Sequence, residues 1–114
     1  MSLATQDDFS TDTQFRLAVA DLLDALLDQV DNLDTDDLDA RMTAGNLTAT
    51  FEDGSVFILS QMTPRRELWL SANFTAWHFN RKDQNWAERD TGESMLQILS
   101  GLFSAKLGMD VTLG

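Results

Sequence analysis

The strongest periodic pattern in the chain lies between Thr13 and Val30. Apolar residues recur there at helical steps and form one broad stripe: Phe15, Val19, Leu22, Leu23, Leu26, Leu27 and Val30. Aspartates follow at steps of three and four and line a second face: Asp21, Asp24, Asp28 and Asp31. The pattern predicts a strongly amphipathic helix of about twenty residues.

The middle of the chain changes to the period of two that is typical of β-strands. Residues 34–39 are too acidic to form a buried element, and the first strand-like segment begins at Arg41. Further segments cover residues 47–51, 56–59, 66–71, 76–80 and 85–89, and Asp53-Gly54 has the composition of a hairpin turn. The connections are too short for parallel crossovers, so we expect an antiparallel sheet of five or six strands.

The last third of the chain returns to helical spacing from Met95 to Leu107. Asp90 and Glu93 resemble a capping pair that opens this helix, and Gly108 is placed to end it. Two amphipathic helices with an antiparallel sheet between them predict an α+β fold, a two-layer α/β sandwich with both helices on one face. Residues 1–12 are predicted to be a flexible N-terminal tail, and residues 13–114 a single domain.

The net charge of −11 is concentrated at one end of the chain. Residues 1–39 hold eleven carboxylates and one base, Arg16, whereas the rest of the chain is close to neutral. Such a field repels phosphate, so nucleic acid is not an expected partner, and cations or basic protein surfaces are. No apolar run reaches membrane-spanning length, and no targeting segment is recognisable, so neither a membrane partner nor export is expected.

The candidate chemistry is limited by the absence of cysteine, which excludes disulfides, thiol nucleophiles and a thiolate-ligated cluster. No phosphate-binding loop, dinucleotide fingerprint or nucleophile elbow occurs. His78 is the only histidine, either a polar residue on a sheet face or a metal or catalytic group. The aspartate ladder is compatible with a solvated helix face and with weak cation binding, because carboxylates are hard oxygen ligands.

Trp69 is the second unusual feature of the sequence, after the aspartate ladder. Alternation places Leu68 and Leu70 on one side of their strand, and Trp69 with Glu67 on the other. If the helices cover the leucine side, Trp69 stands on the open face of the sheet. It is then either an interface anchor or a ring covered by its cross-strand neighbours.

Several segments together resemble the frataxin family over residues 13–107. Residues 46–55 are similar to its first hairpin, and residues 61–71 to its Gln-x-x-Pro segment followed by a hydrophobic-Trp-Leu-Ser strand. Trp77-His78-Phe79 and Asn85-Trp86 are similar to its aromatic-rich strand and the tryptophan after it. The resemblance implies the sandwich fold and weak, surface-bound iron (Fe2+ or Fe3+), with no cluster and no organic cofactor. The implied iron ligands are Asp24, Asp28, Asp31, Asp34, Asp36, Asp37 and Asp39.

The resemblance also implies two protein partners. A cysteine desulfurase would bind at the aspartates listed above, and the iron–sulfur cluster scaffold would bind at the sheet. The implied scaffold contacts are Trp69, Gln61, Arg65, Arg66 and Glu67. The chain is similar to the bacterial branch, which implies a cytoplasmic protein, monomeric or forming iron-dependent oligomers. We therefore expect an iron-binding accessory and regulatory protein of cluster assembly, not an enzyme. The alternatives are a ferroxidase-like or iron-storage protein and a metal-independent acidic adaptor.

Overall fold

The computed structural model describes residues 11–33, 35–82 and 85–114. Its elements are α1 (Asp12–Asp31), β1 (Leu38–Thr43), β2 (Asn46–Phe51), β3 (Val56–Met62), a 3₁₀ turn (Thr63–Arg65), β4 (Glu67–Ala72), β5 (Thr75–Lys82), β6 (Asn85–Glu88) and α2 (Met95–Leu107). Thr11 caps α1, because its Oγ1 accepts a hydrogen bond from the Gln14 N–H at 3.1 Å. Helix α1 thus begins one residue before the predicted helical pattern, and residues 1–10 of the predicted tail lie outside the described residues.

The six strands form one sheet in the order β1-β2-β3-β4-β5-β6, and every neighbouring pair is antiparallel. The predicted α+β class and the antiparallel sheet are therefore confirmed. Strand β1 begins three residues before the predicted start, at Leu38, because Leu38 pairs with Phe51 on β2. Pairing with a buried neighbour extends the strand through Asp39, whose side chain stays exposed at the edge of the sheet.

Both helices pack on the same face of the sheet, as predicted. The stripe of α1 is buried through Phe15, Val19, Leu23, Leu26 and Val30. Helix α2 adds its own buried residues to this core, Met95, Leu99 and Phe103. The sheet contributes alternate positions, among them Leu68 and Leu70, which are 0% and 1% exposed. This alternation places the odd-numbered residues of β4 on the opposite, open face.

The start of α2 differs from the prediction. Ser94 is the N-cap, with its Oγ accepting a hydrogen bond from the Gln97 N–H at 3.3 Å. The predicted pair Asp90 and Glu93 lies in the turn before the helix. That turn is held by the buried Glu88 carboxylate, which accepts from the Asp90 and Thr91 N–H groups at 2.9 and 3.0 Å. A side chain from the preceding strand thus accepts hydrogen bonds from the backbone N–H groups of the turn, and the helix begins after it.

The end of α2 follows the prediction. Gly108 ends the helix at φ 67°, and its N–H donates to the Ser104 carbonyl at 2.9 Å. The chain then returns along the helices, where Val111 and Leu113 are buried in the core. Within the described residues, no helix has the length and apolar character needed to cross a bilayer.

Candidate functional site

The predicted iron ligands form an exposed acidic surface at one end of α1 and along the segment that follows it. We define the acidic surface as Asp24, Asp28, Asp31, Asp36, Asp37 and Asp39, all of which are exposed. Asp34, the seventh predicted ligand, lies outside the described residues. The described members are thus accessible to solvent, and their role as iron ligands stays a prediction.

The position of Asp28 and Asp31 on the helix is electrostatically unfavourable. They lie in the last turn of α1, which contains no basic residue and ends at the C-cap Asn32. The C-terminal end of a helix carries partial negative charge and disfavours carboxylates. Within the described part of the chain, Asp24, Asp28 and Asp31 form no ion pair, so a protein cation does not offset this cost.

The acidic surface is spread out and does not converge on a point. Among the described residues, no three His, Cys, Asp or Glu side chains are grouped closely enough to hold a metal ion. Asp39 also has a partner of its own, because the Arg41 Nη2 donates to its Oδ2 at 2.6 Å. The arrangement offers cations single or paired carboxylates that retain water.

A carboxyl pair that the sequence did not reveal lies at the end of the acidic surface. Asp37 raises the pKa of Glu52, through a side-chain hydrogen bond first and its negative charge second. The backbone joins them as well, since the Glu52 N–H donates to the Asp37 carbonyl at 2.9 Å. Beside them the Lys106 Nζ lies 2.7 Å from the Asp53 Oδ2, and the hydrogen bond from Lys106 holds the pKa of Asp53 well below its usual range.

The predicted partner-binding tryptophan stands on the open face of the sheet, as alternation required. Trp69 is half-buried, and its cross-strand partner on β5 is His78. The two ring centroids are 4.5 Å apart, with an interplanar angle of 62°. His78 is therefore a sheet-face residue that covers one side of the indole, and the other predicted role of Trp69, as an anchor, stays a prediction.

Glu67 is the buried residue of this face, with only 5% of its surface exposed. Its Oε1 accepts hydrogen bonds from the Trp69 Nε1–H at 3.0 Å, the Arg65 Nε–H at 3.3 Å and the Arg89 Nη1–H at 3.2 Å. Burial opposes ionisation, but the Trp69 hydrogen bond and the charge of Arg89 outweigh it and lower the pKa of Glu67. We call Arg65, Glu67, Trp69, His78 and Arg89 the Trp69 cluster.

The other two predicted partner contacts, Gln61 and Arg66, lie outside the Trp69 cluster and make contacts elsewhere in the molecule. The Arg66 Nη1 donates to the Asp12 Oδ1 and to the Thr63 carbonyl, both at 2.7 Å, and so ties the turn before β4 to the start of α1. The Gln61 Nε2 donates to the Gly45 carbonyl at 2.9 Å. Among the predicted partner contacts, Arg65, Glu67 and Trp69 are joined by hydrogen bonds to one another, and the partner role of all five residues stays a prediction.

Sequence reasoning missed Arg89 and Glu52. Arg89 reaches Glu67 across two strands, because its N–H donates to the His78 carbonyl at 2.9 Å and thereby places its side chain over β4. The sequence separation of 22 residues carries no signal of that contact. Glu52 reads as a turn residue in the sequence, and only the start of β1 places Asp37 beside it.

Comparisons with known proteins agree with the fold and with the resemblance of the sequence. The frataxin-like domain family model matches residues 8–109. The iron-sulfur cluster assembly protein CyaY of Ralstonia nicotianae is 35% identical over 107 residues, covering 90% of this chain and 94% of that protein. The protein of the same name from Tolumonas auensis is 31% identical over 103 residues, covering 90% and 98%.

A solved frataxin structure shows the same fold. The frataxin from Psychromonas ingrahamii superimposes with a TM-score of 0.82, covering 90% of this chain and 96% of that one, at 20% sequence identity. The matched residues include α1, the whole sheet and α2, so the resemblance of the central segment extends through the domain. By its sequence and its fold, the chain belongs to the frataxin family.

Proposed function

We propose that this protein serves iron–sulfur cluster assembly in the bacterial cytoplasm as a monomeric binding protein, not as an enzyme. Its acidic surface takes up iron weakly or docks on a basic surface of the cysteine desulfurase, and the Trp69 cluster faces the cluster scaffold. The relatives from Ralstonia nicotianae and Tolumonas auensis carry the name of this process. Iron is in this proposal the cargo, bound at the surface.

The observation that carries the proposal is the placement of Asp28 and Asp31. Both are exposed in the last turn of a helix without a basic neighbour, where the helix dipole opposes them. Asp21, Asp24, Asp28 and Asp31 also repel one another at steps of three and four, at about 0.2–0.5 kcal/mol per pair. These groups reduce stability, and a bound cation or a basic partner relieves that cost.

The geometry favours many weak positions over one strong site. Exposed carboxylates bind hard cations through single oxygens while the ion keeps part of its water. The same charges attract a basic protein surface and speed its encounter. Iron and the desulfurase then compete for the same aspartates, and salt weakens both interactions.

The first experiment measures the initial rate of cluster formation on a scaffold by its cysteine desulfurase, with and without one equivalent of this protein. The test variant carries Asp24→Asn, Asp28→Asn and Asp31→Asn. A matched control carries Asp90→Asn, Glu93→Gln and Asp110→Asn, which removes the same charge from exposed positions elsewhere. We expect the protein to change the rate, the test variant to lose the effect and the control to keep it.

Two outcomes count against the proposal. An equal loss in both variants assigns the effect to net charge and not to the acidic surface. An unchanged rate with cognate partners, with and without iron, rejects a role in assembly.

Iron titration followed by NMR separates the alternatives, because a metal-independent adaptor binds the desulfurase without iron-dependent shifts at the acidic surface. Saturable oxygen consumption that is lost in the test variant identifies a ferroxidase-like protein.

A further inference from the structure

Glu67 is a buried carboxylate on the face of the sheet opposite α1 and α2. It is 5% exposed, although it is the first residue of β4 and its neighbours across the strands are Met62 and Asn80. A carboxylate in such a position needs hydrogen-bond donors, and its contacts show which side chains it organises.

Three donors converge on the Glu67 Oε1 from three places in the chain. Arg65 approaches from the turn before β4, Trp69 from two residues along the strand, and Arg89 from beyond β6. Arg89 also reaches the second oxygen, at 3.4 Å. The side chains of Arg65 and Arg89 are 60% and 31% exposed. The acceptor of the cluster is therefore buried, whereas its two arginine donors reach solvent.

Trp69 is held at two points by this arrangement. Its Nε1–H donates to Glu67, and its ring rests on His78 at a centroid distance of 4.5 Å. Two χ angles define a tryptophan side chain, and two such contacts are sufficient to fix both. Since the indole N–H already has its acceptor, the ring can offer a partner only its apolar surface.

We propose that Glu67 is a positioning residue, which presents the Trp69 indole as a preorganised apolar anchor for a partner protein with an apolar pocket. The inference rests on the proposed function, in which this face meets the cluster scaffold. A preordered anchor loses less conformational freedom on binding, which increases affinity without a new contact. The two guanidinium groups keep Glu67 ionised and in place.

The test compares two substitutions of Glu67 that differ in what they leave at the indole. Glu67→Ala removes the acceptor, whereas Glu67→Gln keeps a carbonyl oxygen that can accept from Trp69. The matched control is Glu93→Gln, which changes an exposed glutamate outside the Trp69 cluster. The readouts are the Trp69 indole N–H resonance in a ¹H–¹⁵N spectrum, assigned by Trp69→Phe, and the Kd for the scaffold of the same organism.

We expect Glu67→Ala to shift and broaden the Trp69 indole resonance and to weaken scaffold binding about ten-fold, or about 1.4 kcal/mol. Glu67→Gln is expected to keep most of the wild-type resonance and Kd, and Glu93→Gln to change neither. Loss of the acceptor shifts the indole resonance in any case, so a positioning role is read from broadening of that resonance together with a higher Kd, in a protein that the same spectrum shows to be folded. If Glu67→Ala destabilises the fold, Glu67→Gln still tests the geometry.

Trp69→Ala separates failure of the inference from failure of the proposed function. If Trp69→Ala weakens scaffold binding while Glu67→Ala leaves the Kd or the indole resonance unchanged, Glu67 is not a positioning residue. If Trp69→Ala itself leaves the Kd unchanged, this face does not meet the scaffold, and both the proposed scaffold contact and the inference built on it are wrong.

Discussion

The carboxylates of the acidic surface and of the Trp69 cluster differ in their exposure and in their pairing. Asp24, Asp28 and Asp31 are exposed, and within the described residues no basic side chain pairs with them. Glu67 is buried and accepts hydrogen bonds from an indole and two guanidinium groups. The three aspartates carry charge, but within the described part of the chain no hydrogen bond or ion pair fixes their side chains. In the Trp69 cluster, hydrogen bonds fix the side chains, and the guanidinium groups balance the charge of Glu67.

This difference indicates how each region can be recognised. Unpaired surface charge acts over a distance and tolerates many partners in many poses, so it suits weak ions and the steering of a basic protein. A buried carboxylate that fixes an aromatic ring acts only at contact and requires shape complementarity. We expect variants of the first region to change salt dependence and association, and variants of the second to change stability and the lifetime of a complex.

The largest expected effect comes from removing the buried carboxylate. Glu67→Ala should lower the free energy of unfolding by about 2 kcal/mol, because charged hydrogen bonds are lost and the Trp69 N–H and the guanidinium groups lose their acceptor. Urea denaturation followed by circular dichroism measures it. Glu93→Ala removes an exposed glutamate and is the control. A loss below about 0.5 kcal/mol for Glu67→Ala would show that its contacts contribute little.

The second prediction concerns pH. The pKa of Glu67 is lowered in the folded protein, so its contribution to stability is present above its ordinary pKa of about 4.3 and is lost as the pH falls through the folded value. Wild type and Glu67→Gln should therefore differ most in stability at neutral pH and converge between about pH 5 and pH 3. Urea denaturation at several pH values tests this. A stability difference that stays constant down to pH 3 contradicts it.

The smallest expected effect has the opposite sign and lies in the acidic surface. Replacing Asp28 and Asp31 by Asn should raise the free energy of unfolding by about 0.5–1 kcal/mol, because the repulsion and the unfavourable helix dipole are both removed. Asp12→Asn is the matched control at the other end of α1, where Asp12 pairs with Arg66 at 2.7 Å and should therefore lose stability. Equal signs for the two variants, measured by thermal unfolding, would contradict the dipole argument.

The helices and the fold class could be predicted from the sequence because they depend on local periodicity. The apolar stripe of α1 and the alternation around Trp69 are properties of neighbouring residues, and the structure confirms both. The start of α2 could not be predicted in this way. Asp90 and Glu93 have suitable capping chemistry, but the Glu88 carboxylate binds the backbone of that turn and Ser94 takes the cap.

The candidate site also has one part that local sequence predicts and one part that it does not. The acidic surface is defined by aspartate spacing on one helix and by sequence adjacency, and its exposure is a local property that residue order indicates. The Trp69 cluster required the registers of two strand pairs, because Arg89 meets Glu67 only after β5 and β6 have folded back on β4. The Asp37–Glu52 pair likewise depends on how β1 enters the sheet.

The sequence by itself determined the charge of this protein, its alternation of buried and exposed positions, and the family that its central segment resembles. These are encoded within a few residues of each other, at the periods of helix and strand. The tertiary structure alone decided which distant charges are paired, such as Arg89 with Glu67 and Lys106 with Asp53. That outcome depends on distances between residues far apart in the chain, and it distinguishes the buried Glu67 from the exposed aspartates of α1.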